Sequence, residues 1–258
     1  LQHTDFIELA RGPIGLAFVA LLGLICGSFV TALSYRLPRG EDFVSGRSAC
    51  PSCKTVLTTR DLFPVFSWLL SRGRCRHCQA KVSGRYPLIE MACGVLFVAV
   101  VLAADRLSDI PANVSGEARV LVMWGLAIGL LSLTVTDFEF HRLPNGLVLF
   151  VFGLCCALAW LDGRSLTDVG VSIILAVVVG IGLRVLGQGV EKKPGLGWGD
   201  IKLLAALSVP LSLETVPYFL IVTAAVSLAL AAWYVLRRAQ TQIPFGPALC
   251  AGAFVVFL

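Results

Sequence analysis

Long uncharged runs separated by short polar connections organise this chain. Uncharged stretches cover residues 12–35, 120–136, 143–161, 215–236 and 239–258. Each approaches or exceeds the ~17–25 residues a helix needs to cross ~30 Å of hydrocarbon. Two further stretches fit if one terminal charge is admitted: 87–104, with Glu90 near its start, and 169–189, with Arg184 near its end. An eighth, 203–213, would reach only ~16 Å at about 1.5 Å per residue. It is expected to tilt, to extend through its flanks, or to lie where the bilayer is thin. Lipid offers no partner to free backbone groups, and no strand-like alternation suggests a barrel. The pattern therefore predicts an all-α polytopic membrane protein of about eight transmembrane helices.

Composition agrees. Of 258 residues, 57% are apolar and 14% charged, with a mean hydropathy of +0.85, whereas soluble domains carry roughly 25% charged residues. The first apolar run is too long to read as a cleavable signal peptide. Small-residue pairs such as Gly23/Gly27 and Gly125/Gly129 suit close helix packing in lipid. With alternating sides assigned to the connections, 17 of the 21 Lys and Arg fall on one side; Arg11, Arg106, Arg119 and Arg164 fall on the other. Basic residues mark the cytoplasmic side, so both termini are expected to face away from the cytoplasm. The net charge of +5 is thus a topology signal. No basic stripe with interleaved aromatics accompanies it, and no nucleic-acid partner is expected.

The exception to the apolar plan is residues 36–86, a hydrophilic cytoplasmic segment long enough for a small folded module. Three parts follow: 1–35, the N-terminal segment and first span; 36–86, the module; and 87–258, the remaining bundle. Five of nine cysteines (Cys26, Cys93, Cys155, Cys156, Cys250) lie in apolar spans, where a thiol behaves as a small hydrophobe. The other four form Cys50-x-x-Cys53 and Cys75-x-x-Cys78, 21 residues apart. Two such knuckles can close four thiolates around Zn2+, and a cytoplasmic location disfavours disulfides. Four protein ligands leave no open position, so the zinc is read as structural. It would hold together a loop too small for a robust core.

Charges at the membrane edge are expensive, which makes them functional candidates. Asp137 closes the third span, and Asp200 opens the sixth within Gly195-Leu196-Gly197-Trp198-Gly199-Asp200. Two spans separate them, so both carboxylates emerge on the same cytoplasmic face. Two carboxylates in one site share a single proton. The ionised member can take a proton from water while the protonated one polarises a scissile carbonyl. Glu139, His141 and Lys202 read as solvated neighbours. The glycine run follows a span rather than a strand, so it fails the context test for a dinucleotide loop.

Taken in order, these motifs resemble the type IV prepilin peptidase family (prepilin leader peptidase/N-methyltransferase). The likeness runs through Gly27-Ser28-Phe29-Val30, Tyr35-Arg36-Leu37-Pro38-Arg39 and Cys50-Pro51-Ser52-Cys53. It continues through Arg72-Gly73-Arg74-Cys75-Arg76-His77-Cys78 and Arg85-Tyr86-Pro87-Leu88-Ile89-Glu90. It resumes at Asp137, at Leu143-Pro144-Asn145, at the Gly-x-Gly-Asp of 197–200 with Lys202, and at Pro244-Phe245-Gly246-Pro247. Thr31 stands where relatives often carry Asn.

The resemblance implies a bacterial inner-membrane aspartyl endopeptidase that removes the leader of type IV prepilins or pseudopilins. Cleavage would follow a Gly on the cytoplasmic side, with methylation of the new N-terminal residue from S-adenosylmethionine. It carries the peptidase roles to Asp137 and Asp200 and the zinc-ligand roles to Cys50, Cys53, Cys75 and Cys78. No S-adenosylmethionine site is legible in the sequence, so that cofactor rests on the resemblance.

A presenilin-like intramembrane protease also uses a Gly-x-Gly-Asp loop, but lacks a zinc loop and usually has Tyr before its first Asp, where Thr136 stands here. A proton-coupled transporter would show inverted halves and broken helices. A purely structural zinc-loop protein would need neither aspartate.

Overall fold

The computed structural model describes residues 6–42, 46–104, 116–191 (backbone alone over 187–191), 196–236 and 244–258. Within them the chain is helical, and the only β pairing is two isolated bridges, Ala49 with Val56 and Arg74 with Lys81. The expectation of an all-α protein holds. Among the described residues, five helices are long and apolar enough to cross a membrane, judged by length and composition. The chain divides into two compact units, Leu1–Ala103 and Ala104–Leu258.

The first unit contains α1 (Phe6–Arg11), α2 (Pro13–Arg36), a 3-10 turn (Leu37–Arg39), α3 (Phe66–Leu70) and α4 (Arg85–Leu102). Pro13 occupies the first turn of α2, where its missing N–H is not needed and its fixed φ suits the helix. Gly40, at φ 69°, ends the following turn. α2 and α4 pack along a seam of small residues. A Cβ on Gly23 would lie 2.7 Å from Gly94 Cα, and one on Gly27 would lie 2.6 Å from Glu90 Cα. Only glycine permits that approach, the usual device between helices in lipid. Arg85 adds a polar tie at one end, donating to the Ser34 hydroxyl at 2.9 Å.

Residues 40–84 form the module between those two helices. Arg36 reaches into it and donates to the Gly46 and Arg47 carbonyls at 2.6 and 3.2 Å. Trp68 Nε1 donates to the Val82 carbonyl at 3.1 Å. Val65 has φ 60°, a costly region for a β-branched residue. Its N–H donates to Glu90 Oε2 at 2.7 Å, which fixes the chain there.

The second unit contains α5 (Gly116–Phe140), α6 (Asn145–Leu161), α7 (Leu166–Glu191), α8 (Trp198–Ser208), α9 (Val216–Leu236) and α10 (Gly246–Phe257). α8 packs against α6, α7 and α10, and α10 also packs against α5 and α9. Leu203 and Leu207 on α8 are fully buried. Opposite faces of α7 and α9 leave Ile174, Val178, Ile221, Leu228 and Val235 exposed, as helices bordered by lipid do. Away from the aspartates, Arg119, 2% exposed, meets the Asp162 carboxylate at 2.5 Å. Arg164 and Ser172 both donate to the Leu211 carbonyl, at 2.5 and 3.0 Å, and satisfy the backbone where short α8 stops.

Three span boundaries differ from the sequence expectation. The sixth helix runs Trp198–Ser208 rather than 203–213. Gly197 is extended and its N–H is taken by the Asp200 carboxylate, which starts the helix early. Pro210 has no N–H to continue it. The third helix does not stop at Thr136 but carries Asp137 inside its last turn. It ends where His141 adopts φ 51° and donates its N–H to the Asp137 carbonyl at 3.0 Å. The last helix begins at Gly246; residues 239–243 of the expected span, like Gly195 of the glycine run, lie outside the described residues.

Candidate active site and metal centre

Asp137 and Asp200 come from different helices of the second unit. Asp137 sits in the last turn of α5, and its side chain is buried, 6% exposed. Its Oδ2 accepts the backbone N–H of Gly246, the first residue of α10, at 2.9 Å. Asp200 sits in the first turn of α8, where its Oδ2 accepts the Gly197 N–H at 3.1 Å. The two carboxylates lie within electrostatic reach of one another. Each is thus held by one backbone amide of a glycine, and both amides belong to helix N-termini, whose free N–H groups favour negative charge.

Both glycines stand close against their aspartates: a Cβ on Gly197 would lie 2.9 Å from Asp200 Oδ2. A Cβ on Gly246 would stand 2.7 Å from Asp137 Oδ2 and 3.2 Å from Leu143. One on Gly199 would stand 3.3 Å from Leu143, so the α5–α6 connection is packed against both glycine turns. Lys202 Nζ donates to Asn145 Oδ1 at 3.1 Å, tying the start of α6 to α8.

Sequence reasoning placed the two aspartates on one face and left three of these features unassigned. Lys202 reads from the sequence as a solvated neighbour, yet it bridges two helices. Cys250 reads as a small hydrophobe. It is buried, beside Thr134 and within electrostatic reach of both aspartates. The Gly246 amide carries no side-chain signature; the flanking Pro244 and Pro247 are its one trace in the sequence.

In the first unit the four module cysteines converge. Cys50 and Cys78 Sγ are 3.8 Å apart, Cys53 and Cys75 Sγ 4.0 Å, and all four sulfurs lie within 4.8 Å of one another. Zn–S bonds of ~2.3 Å in a tetrahedron imply sulfurs about 3.8 Å apart, so the set suits a tetrahedral ion such as zinc. His77 is outside the group.

The knuckles are built alike. Cys50 donates its N–H to the Thr55 carbonyl and receives the Lys54 N–H, each at 2.9 Å; Cys75 does the same with Ala80 and Gln79. Lys54 and Gln79 both turn the chain at φ 59°. The Cys53 thiol is drawn down to about 6, first by its hydrogen bond with the Thr55 hydroxyl at 3.3 Å and then by the Thr55 backbone. Cys75 is drawn below its usual value by the backbone N–H groups of Cys78 and His77. Both effects favour the thiolate form that binds metal, whereas Cys78 is pushed up to about 11, against a hydrogen bond with the Ala80 backbone, by burial and the neighbouring thiols.

Comparison with known proteins divides the chain in a similar way. Residues 21–104 match the profile of the Bacterial Peptidase A24 N-terminal domain, and residues 124–232 that of the Type IV leader peptidase family. The chain is similar to the Prepilin leader peptidase/N-methyltransferase of Burkholderia pseudomallei (strain K96243). The two are 34% identical over 284 residues, covering 96% of this chain and 86% of the relative. A protein of the same name from Aeromonas hydrophila is 31% identical, covering 98% and 94%. The Type 4 prepilin-like proteins leader peptide-processing enzyme of Escherichia coli O78:H11 is 30% identical, covering 89% and 88%. No solved structure matches the chain.

Proposed function

Since the chain belongs to the type IV leader peptidase family, we propose that it is a bifunctional prepilin peptidase and N-methyltransferase. Its substrates are type IV prepilins or pseudopilins, and Asp137 and Asp200 form its peptidase pair. The observation that carries the mechanistic part is a pair of carboxylates on α5 and α8 within electrostatic reach of one another, each accepting a glycine amide. The ionised carboxylate takes a proton from a water molecule whose oxygen attacks the scissile carbonyl carbon. The protonated carboxyl donates to the carbonyl oxygen. Collapse of the tetrahedral intermediate breaks the C–N bond, and the leaving amine takes up a proton passed through the pair.

The membrane frame of this reading is the bacterial inner membrane, crossed about eight times. α6, α8 and α10, at 17, 11 and 12 residues, cross by tilting or in company with their longer neighbours. The excess of Lys and Arg on one side places the module and both aspartates toward the cytoplasm and the termini toward the periplasm. The prepilin's own apolar helix docks among the spans, with its leader reaching the carboxylates.

Cys50, Cys53, Cys75 and Cys78 hold a structural Zn2+ that keeps residues 36–86 folded. Methyl transfer from S-adenosylmethionine to the new N-terminus rests on the names of the relatives and on the four-cysteine module. Incubation of the purified protein in liposomes with a prepilin-like peptide tests the whole reading. Mass spectrometry should show loss of the leader after Gly. With S-adenosylmethionine present, the product should gain one methyl group. An intact peptide from a well-folded protein would overturn it.

A further inference from the structure

Leu62, Phe63, Phe66, Leu69 and Leu70 all leave large apolar surface exposed, Leu70 at 78%. Five such residues fall within nine positions, a local concentration of exposed apolar side chains of the kind found at contact surfaces. Phe63 and Phe66 stand side by side, ring centroids 5.6 Å apart. With Leu70 they line an open concavity of about 450 Å³ together with Arg60, Arg76, Thr59 and Ser67. Arg76 is shared with Asp61 at 3.4 Å. The surrounding segment 36–86 nonetheless carries ten Lys and Arg against three acids, a net positive charge.

The depth of this patch follows from one hydrogen bond. Val65 donates its N–H to Glu90 Oε2 at 2.7 Å. Glu90 lies five residues into α4, about 7 Å along a helix that rises ~1.5 Å per residue. α4 has 18 residues, about 27 Å, which falls slightly short of ~30 Å of hydrocarbon, so its first residue cannot stand far outside the apolar layer. A chain pinned to Glu90 is therefore level with the boundary of the apolar layer, not out in the water beyond it. Exposed Phe and Leu at that level, rimmed by Arg, have the make-up of an element lying in the membrane interface.

We propose that residues 59–76 form an interfacial anchor whose concavity takes the headgroup phosphate of an anionic phospholipid. Phe63, Phe66, Leu69 and Leu70 enter the headgroup–acyl boundary, and Arg60 and Arg76 meet the phosphate. The anchor would fix the metal-binding module against the cytoplasmic leaflet. It does not depend on the peptidase reading.

The test places the photoreactive residue p-benzoylphenylalanine at Leu70 of the full chain, in nanodiscs of phosphatidylcholine with or without phosphatidylglycerol. The same residue at Val56, on the first knuckle, serves as control. The expected result is lipid adducts from position 70, not from 56, with a yield that falls about 25-fold without the anionic lipid. Arg60→Gln with Arg76→Gln should cause the same fall, since each cation near an anionic surface contributes roughly fivefold to partition. Crosslinks from position 70 to residues 104–258, or no adduct at all, would overturn the proposal. Lipid adducts indifferent to both phosphatidylglycerol and the two arginines would overturn the headgroup site.

Discussion

The backbone N–H of Gly246 donates to Oδ2 of Asp137 at 2.9 Å, across 109 residues of chain. The contact sets the orientation of the Asp137 carboxylate from the N-terminus of another helix. Gly246→Ala would put a Cβ 2.7 Å from that oxygen and force the carboxylate or α10 to shift. Small misplacements of reacting groups cost up to ~100-fold in rate. Prepilin cleavage by Gly246→Ala is therefore expected to fall about 10- to 100-fold at unchanged protein yield. Gly153→Ala on α6, where a Cβ meets nothing within 4 Å, should keep full activity.

The Arg119–Asp162 pair is expected to matter for stability and not for chemistry. Removing one partner of a buried ion pair typically costs ~3–5 kcal/mol, because the other charge is left without compensation. Arg119→Met should lower the thermal midpoint in detergent sharply, and Arg119→Met with Asp162→Asn should recover most of the loss. Equal destabilisation by the single and double changes would mean the pair is not the source.

Packing of α2 on α4 should tolerate no side chain at its glycine contacts. A Cβ on Gly27 would lie 2.6 Å from backbone of α4, and overpacking of this kind costs about 1–3 kcal/mol. Gly27→Ala is expected to lower the melting temperature. Gly182→Ala on α7, with open space around it, should not. Thermal melts of both in one detergent decide the matter.

Metal content tests the knuckles directly. The purified protein should carry one zinc per chain, measured by elemental mass spectrometry. Each of Cys50→Ser, Cys53→Ser, Cys75→Ser and Cys78→Ser should lose it, while Cys26→Ser retains it. A Cys50→Ser protein with normal zinc would contradict the assignment.

Much of this was legible in the sequence, for identifiable reasons. The Cys-x-x-Cys knuckles are local, so their spacing alone announces the cluster that the structure closes to within 4.8 Å. The shared face of Asp137 and Asp200 follows from counting spans, a parity that survives errors in span ends. Those ends were less legible, because hydropathy marks apolar runs and not caps. α8 begins at Trp198, on a polar turn set by Gly197 and Asp200, before its apolar run starts. The Gly246 amide, the Lys202–Asn145 bridge and the position of Cys250 were not legible. They are contacts between distant segments, and two of them are made by groups that hydropathy counts as featureless.

The most direct test of the central claim is leader cleavage by wild type, Asp137→Asn and Asp200→Asn in the same liposomes. An asparagine can neither take the proton from water nor pass one to the leaving amine. Both variants are expected to insert normally and to show no leader release above background, while wild type cleaves after Gly. Cleavage surviving in both variants would contradict the carboxylate pair and the mechanism built on it.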